Sequence, residues 1–130
     1  MTKTILCDTD FLIAFLISED INHQKSKSLV EKYQDFTFIH SNLTKYELMT
    51  VLSRKLEQKL AIQALELFEK IFENEFQFDT ILEVEIIAYY KNTKNKNQSF
   101  FDIACLVQAK KHNYKIASFD QFYPKEFLLK

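Results

Sequence analysis

Short apolar strands alternating with helices predict an α/β domain built on a mainly parallel sheet. Three observations carry that prediction. Apolar runs of strand length occur at Thr4 to Cys7, Phe36 to Ile39 and Lys115 to Ser118, and longer stretches with helical spacing separate them. Acidic residues, Asp8 and Asp120, close the first and last of these runs. In open parallel sheets ligands gather outside the carboxyl ends of the strands, where the strand order reverses, and both acids lie at such ends.

The elements follow in order. Thr4 to Cys7 reads as a short buried strand, Asp8, Thr9 and Asp10 fill a join, and Phe11 to Ile17 continues as a helix turning away from the strand end. Ile21 to Tyr33 places Leu29, Val30 and Tyr33 at helical spacing behind Asp20 and Asn22, which suit a cap. Phe36 to Ile39 is the second strand. Ser41 and Asn42 open a long helix to about Lys59, and a further helix, about Ala61 to Glu73, carries Leu65, Phe68 and Phe72 on one side. Glu75 to Phe78 is a weak third strand, followed by a helix from about Ile81 to Tyr90 and a polar, basic loop, Lys91 to Gln98. Ser99 starts a helix to about His112, where Asn113 stands in for a left-handed C-cap glycine. Lys115 to Ser118 is the fourth strand, and the tail, Phe122 to Leu129, gives a turn and a final edge strand around Pro124.

The 130 residues suit one domain, residues 1–130, with a single real core. Glycine is absent, Arg54 is the only arginine, and the net charge is −1. This Phe-, Ile-, Lys- and Asn-rich composition resembles an AT-rich coding bias, so abundant lysine is weak evidence for nucleic-acid binding. Met1 to Asp8 lacks the long apolar stretch of a secretory signal, and Phe11 to Ile17 is too short to span a bilayer, which predicts a cytoplasmic protein. Cys7 and Cys105 have no metal-ligand spacing and read as small buried hydrophobes; His23, His40 and His112 likewise read as structural or surface residues.

The chemistry lies in four acids. Asp8 and Asp120 each suit a cap or turn, and Ser99-Phe-Phe-Asp102 fits a capping box. Asp102, however, heads an apolar stripe with Cys105, Leu106 and Ala109. Glu47 has no such local explanation, because Leu43 and Val51 one turn away turn it toward the sheet. Clustered carboxylates repel and lose hydration, which a divalent cation offsets. An all-oxygen donor set favours Mg²⁺ or Mn²⁺ over zinc.

With these residues in place the chain resembles the PIN-domain ribonucleases, and among them the small toxins of VapC type. The resemblance rests on ILCDTDFLIAF, DINHQKSKSLVEK, SNLTKYELMTVLSRK and SFFDIACLVQAKKHNYKIASFDQFY, with the acids in the family's order. It implies a three-layer α/β/α sandwich with a mainly parallel five-stranded sheet. It also implies Asp8, Glu47, Asp102 and Asp120 as catalytic residues around one or two Mg²⁺ or Mn²⁺ ions, an RNA substrate, a cognate antitoxin protein and a homodimer. Ser118 matches a family Ser or Thr whose hydroxyl would orient a water on the metal. Asp10 falls where the family often has Asn or Ser, so its membership of the site stays open. Asn113 replaces the family's usual glycine after the Asp102 helix.

The mechanism this suggests is metal-assisted hydrolysis of RNA phosphodiesters. Arg54, seven residues after Glu47 on nearly the same helical face, is a candidate for a substrate phosphate, and Lys91, Lys94 and Lys96 are candidates for tracking an RNA backbone. A non-catalytic PIN-fold module binding RNA or protein is one alternative. A haloacid-dehalogenase-type phosphatase using Asp8 as nucleophile is another, although it leaves Glu47 without a role and needs glycine-rich loops this chain lacks.

Overall fold

In the computed structural model, which describes residues 3–94 and 98–130, the chain forms strands β1 (Thr4–Cys7), β2 (Thr37–Ser41), β3 (Asn74–Phe76) and β4 (Lys115–Ala117). The helices are α1 (Thr9–Leu16), α2 (His23–Lys32), α3 (Asn42–Lys55), α4 (Gln58–Ile71), α5 (Thr80–Asn92) and α6 (Phe100–His112). The strands make one parallel sheet in the order β3-β2-β1-β4. The chain steps outward from β1 through β2 to β3 and then crosses to the far side of β1. The order therefore reverses between β1 and β4.

Side-chain alternation on the strands assigns the layers. Ile5 and Cys7 of β1, Phe38 of β2 and Ala117 of β4 face a core closed by α1, α2, α3 and α4, where Phe11 stacks on Phe38 and Phe119. Leu6, Ile39, Phe76 and Ile116 face the opposite way, onto α5 and α6. The expected three-layer α/β/α arrangement is thus present.

Several boundaries move for identifiable reasons. The expected helix to Lys59 ends at Lys55, because Leu56 takes extended backbone and packs its side chain into the first core; α4 then restarts at Gln58. The basic loop is shorter than expected, since Lys91 belongs to the last turn of α5; Lys94 is exposed, and Lys96 lies outside the described residues. The fifth strand reduces to a single parallel bridge between Ile116 and Leu128, because the turn through Pro124 leaves the tail alongside β4 only near its end. His40 is buried against Phe68 and 3.4 Å from Glu75, a structural setting. No helix among the described residues is long and apolar enough to cross a membrane.

Asn113 holds φ 58° and ψ 44°, and its N–H closes the last turn of α6 onto Ala109. This left-handed conformation costs an ordinary L-residue about 1–2 kcal/mol. Asn113→Gly is expected to leave stability within about 1 kcal/mol of the parent, whereas Asn113→Val should lose about 1–2 kcal/mol. Urea unfolding of the two variants checks this.

Candidate active site at the carboxyl ends of β1 and β4

The parallel pairing of β1 with β4 aligns Cys7 with Ala117, and the Asp8 N–H donates to the Ala117 carbonyl at 3.0 Å. Residues 8 and 118, far apart in sequence, therefore meet at the switch point. Asp8 is 4% exposed and caps α1. Its Oδ1 accepts the Thr9 N–H at 2.8 Å and lies 3.9 Å from Cys105 Sγ. Its Oδ2 accepts the Tyr123 hydroxyl at 2.8 Å and lies 3.3 Å from Ser118 Oγ.

Asp10 joins this group. In the first turn of α1, its two oxygens lie 3.1 and 3.3 Å from Ser118 Oγ and accept the Phe119 N–H at 3.3 and 3.1 Å. The Ser118 oxygen accepts the Asp120 N–H at 3.0 Å, so its own proton is directed at the carboxylates. Asp120 Oδ1 accepts the Phe122 N–H at 2.9 Å, an Asx turn that redirects the chain after β4.

Glu47 comes from α3 and meets Thr9, the neighbour of Asp8. On α3 the fully buried stripe is Thr44, Leu48 and Leu52; Leu43, Glu47 and Val51 run beside it, half-buried. The expectation that Glu47 points at the sheet needs this correction: it sits on the shoulder of the helix, where its carboxylate reaches the Thr9 hydroxyl, which donates to Oε1. Asp102 is half-buried in the first turn of α6, over the buried Cys105, Leu106 and Ala109, and its N–H bonds Ser99 Oγ at 3.2 Å. Arg54 is exposed in the last turn of α3 and makes no ion pair among the described residues.

The electrostatics follow from burial and shared sign. Burial first, then the Asp10 charge and more weakly the Asp102 charge, push Asp8 up to about 7 against the hydrogen bonds from Tyr123 and Thr9. Burial also raises Asp10 to about 6; bonds from Ser118 and Phe119 oppose the shift and the Asp120 charge adds to it. Glu47 is raised by burial and by Asp102, with Thr9 opposing. Asp102 is raised by burial and then by Asp120, while Ser99 holds it down. The Tyr123 phenol is driven far up, chiefly by burial, and remains a proton donor at neutral pH. Among the described residues no Lys or Arg pairs with any of these acids.

No three His, Cys, Asp or Glu side chains among the described residues form a ready-made ion site. The donor set nevertheless suits a hard divalent cation: it is all oxygen, partly buried, mutually repelling and without a basic counter-charge. Cys105 is buried as the sequence suggests, but the contacts of Thr9 with Glu47 and of Tyr123 with Asp8 are not visible in the sequence. Thr9 adjoins Asp8 and was visible as part of the join, but Tyr123 looks like any apolar tail aromatic, and nothing local reveals that its hydroxyl faces residue 8.

Known proteins share this architecture. The PIN domain family profile matches residues 5–124. Among solved structures, the VapC20 toxin of Mycobacterium tuberculosis, which cleaves the sarcin-ricin loop, is 21% identical with a TM-score of 0.77, covering 91% of each chain. VapBC2 of Rickettsia felis, bound to a promoter DNA fragment, is 13% identical with a TM-score of 0.68 over 98% of this chain and 97% of that one. A toxin-antitoxin complex of Klebsiella pneumoniae is 16% identical with a TM-score of 0.67 over 97% and 96%. No curated protein sequence matches the chain.

The raised acids set a pH dependence of stability. A carboxylate whose folded value exceeds its unfolded one contributes most below the unfolded value and loses that contribution as pH rises through the folded value. For Asp8 the window runs from 3.8 to about 7, and for Asp10 from 3.8 to about 6. Without divalent ions, the protein should therefore lose stability as pH rises from about 4 to about 7, by on the order of 1 kcal/mol or more. Asp8→Asn should flatten that slope; urea midpoints measured across the range in EDTA test it, and an unchanged slope would contradict the assignment. From the profile match and the shared fold, the chain belongs to the PIN domain family.

Proposed function

We propose that this protein is a divalent-metal-dependent endoribonuclease that hydrolyses RNA phosphodiesters in the cytoplasm, as the toxin of a toxin-antitoxin pair. The observation that carries the reading is the gathering of Asp8, Asp10 and Asp120 at the switch point, with Asp102 electrostatically coupled to Asp8 and Asp120, Glu47 coupled in turn to Asp102, and no basic residue among the described ones paired with the group. Nucleases of this family generally use divalent metal ions. Asp8, Glu47, Asp102 and Asp120 are the proposed ligands for Mg²⁺ or Mn²⁺, and Asp10 is added to them. A cation held there would supply an activated water nucleophile and neutralise charge on the scissile phosphate.

The chain's own residues prepare that chemistry. Ser118 and Tyr123 hold Asp8 and Asp10 in place through their hydroxyls. Thr9 orients Glu47, and Ser99 restrains Asp102 at the start of α6. Arg54 and Lys94, both exposed, are available to backbone phosphates of a long RNA. The toxin role is supported by solved neighbours that are themselves toxins or toxin-antitoxin complexes. We assign an antitoxin partner on the same ground and a homodimer from the family resemblance alone, with residues 1–130 acting as one domain.

Purified protein should cut RNA with Mg²⁺ or Mn²⁺ and stop on EDTA addition. Asp8→Asn and Asp102→Asn should each lower cleavage by about a hundredfold or more while circular dichroism stays unchanged. Equal cleavage by the wild type and both variants would point to a contaminating nuclease. Expression without a partner should arrest growth and Asp102→Asn should relieve the arrest; sequencing of RNA 5′ ends after induction would then identify the target.

A further inference from the structure

We propose that Tyr123 is a positioning residue for Asp8: its hydroxyl, delivered by the turn that Asp120 opens, fixes the Asp8 carboxylate as a cation ligand. The proposal rests on the metal-dependent reading above and deepens it. Tyr123 is 2% exposed and packs in the second core with Leu6, Leu106, Ala109 and Ile116. A phenylalanine would fill such a space without bringing a polar atom out of water, so a buried hydroxyl here requires a partner. That partner is Asp8 Oδ2, at 2.8 Å.

Counting protons shows why a second hydroxyl is needed. Ser118 has one proton, and three carboxylate oxygens lie within reach of its Oγ: Asp8 Oδ2 at 3.3 Å, Asp10 Oδ1 at 3.1 Å and Asp10 Oδ2 at 3.3 Å. When Ser118 donates to Asp10, the shorter contact, Tyr123 is the donor left to hold Asp8 Oδ2. Two hydroxyls thus serve two neighbouring carboxylates. The same turn orients a third, since the Phe122 N–H bonds Asp120 Oδ1 and the next residue is Tyr123. Fixing the rotation of a buried ligand before the ion arrives strengthens binding, and outer partners of metal ligands are typically worth about 10–100-fold in affinity.

The test reads Mn²⁺ binding to the full chain by electron paramagnetic resonance of free Mn²⁺, without RNA. Tyr123→Phe should raise the Kd about tenfold or more. Tyr33→Phe, which removes a hydroxyl bonded to the Lys130 carbonyl, should leave it unchanged. On an Asp8→Asn background Tyr123→Phe should cause no further loss, because the hydroxyl acts only through that carboxylate. In cleavage assays the Mn²⁺ needed for half-maximal rate should rise while KM for RNA stays fixed. If Tyr123→Phe does not fold, nuclear magnetic resonance of the unmutated chain decides: of the 6 tyrosines, Tyr123 should show the strongest ring broadening by Mn²⁺. Equal Mn²⁺ affinity in wild type and Tyr123→Phe, additive losses with Asp8→Asn, or broadening that spares Tyr123 would overturn this proposal alone. A wild type that binds no Mn²⁺ would overturn it together with the metal-dependent reading.

Discussion

The pairing of β1 with β4 is the constraint on which the rest of the site depends. Cys7 lies opposite Ala117, and the ladder continues one step further through the Asp8 N–H to the Ala117 carbonyl. A strand has a side-chain period of two, so a slip of one residue would turn Cys7 and Ala117 out of the first core and carry Asp8 away from Ser118. The register is held because Leu6 and Ile116 are buried on one face while Cys7 and Ala117 are buried on the other. Apolar burial that involves no acid directly thus fixes the distance between acids.

Given that register, local structure and site chemistry turn out to be the same interactions. Asp8 caps α1, Ser99 caps α6 beside Asp102, and Asp120 opens an Asx turn. These roles looked like competing explanations for the acids. In the folded chain they are the means by which each carboxylate is aimed, and the N-termini of α1 and α6 offset part of the cost of negative charge there. Burial still prevails, which is why Asp8, Asp10, Glu47 and Asp102 are all raised. The domain carries a locally unfavourable cluster on a frame stabilised elsewhere, an arrangement common at functional sites.

Helix α3 shows how apolar burial serves the cluster. Ser41 ends β2 and accepts the Thr44 N–H at 3.2 Å, while Asn42 Oδ1 accepts the Phe78 N–H at 2.7 Å, so the helix starts at a fixed point above the sheet. Leu48 and Leu52 then set its rotation by burial. Glu47 is left on the shoulder, close enough to Thr9 to bond and exposed enough to keep part of its hydration.

The sequence by itself determined the class of fold, every strand but the last, the left-handed cap at Asn113 and the four acids that depart from their surroundings. Those follow from short-range physics: periodicity, capping preferences and the cost of charge in apolar segments. It also placed Ser118 beside the last acid. The tertiary structure alone decided that Asp10 belongs with Asp8, that Thr9 reaches Glu47 and that Tyr123 faces residue 8, because each depends on contacts across 38 to 115 positions of chain. It also decided that the tail adds a bridge rather than a full strand and that, among the described residues, Arg54 makes no ion pair with the acids. A side chain's type is written in the sequence, but its direction is fixed only when strands choose their neighbours and register.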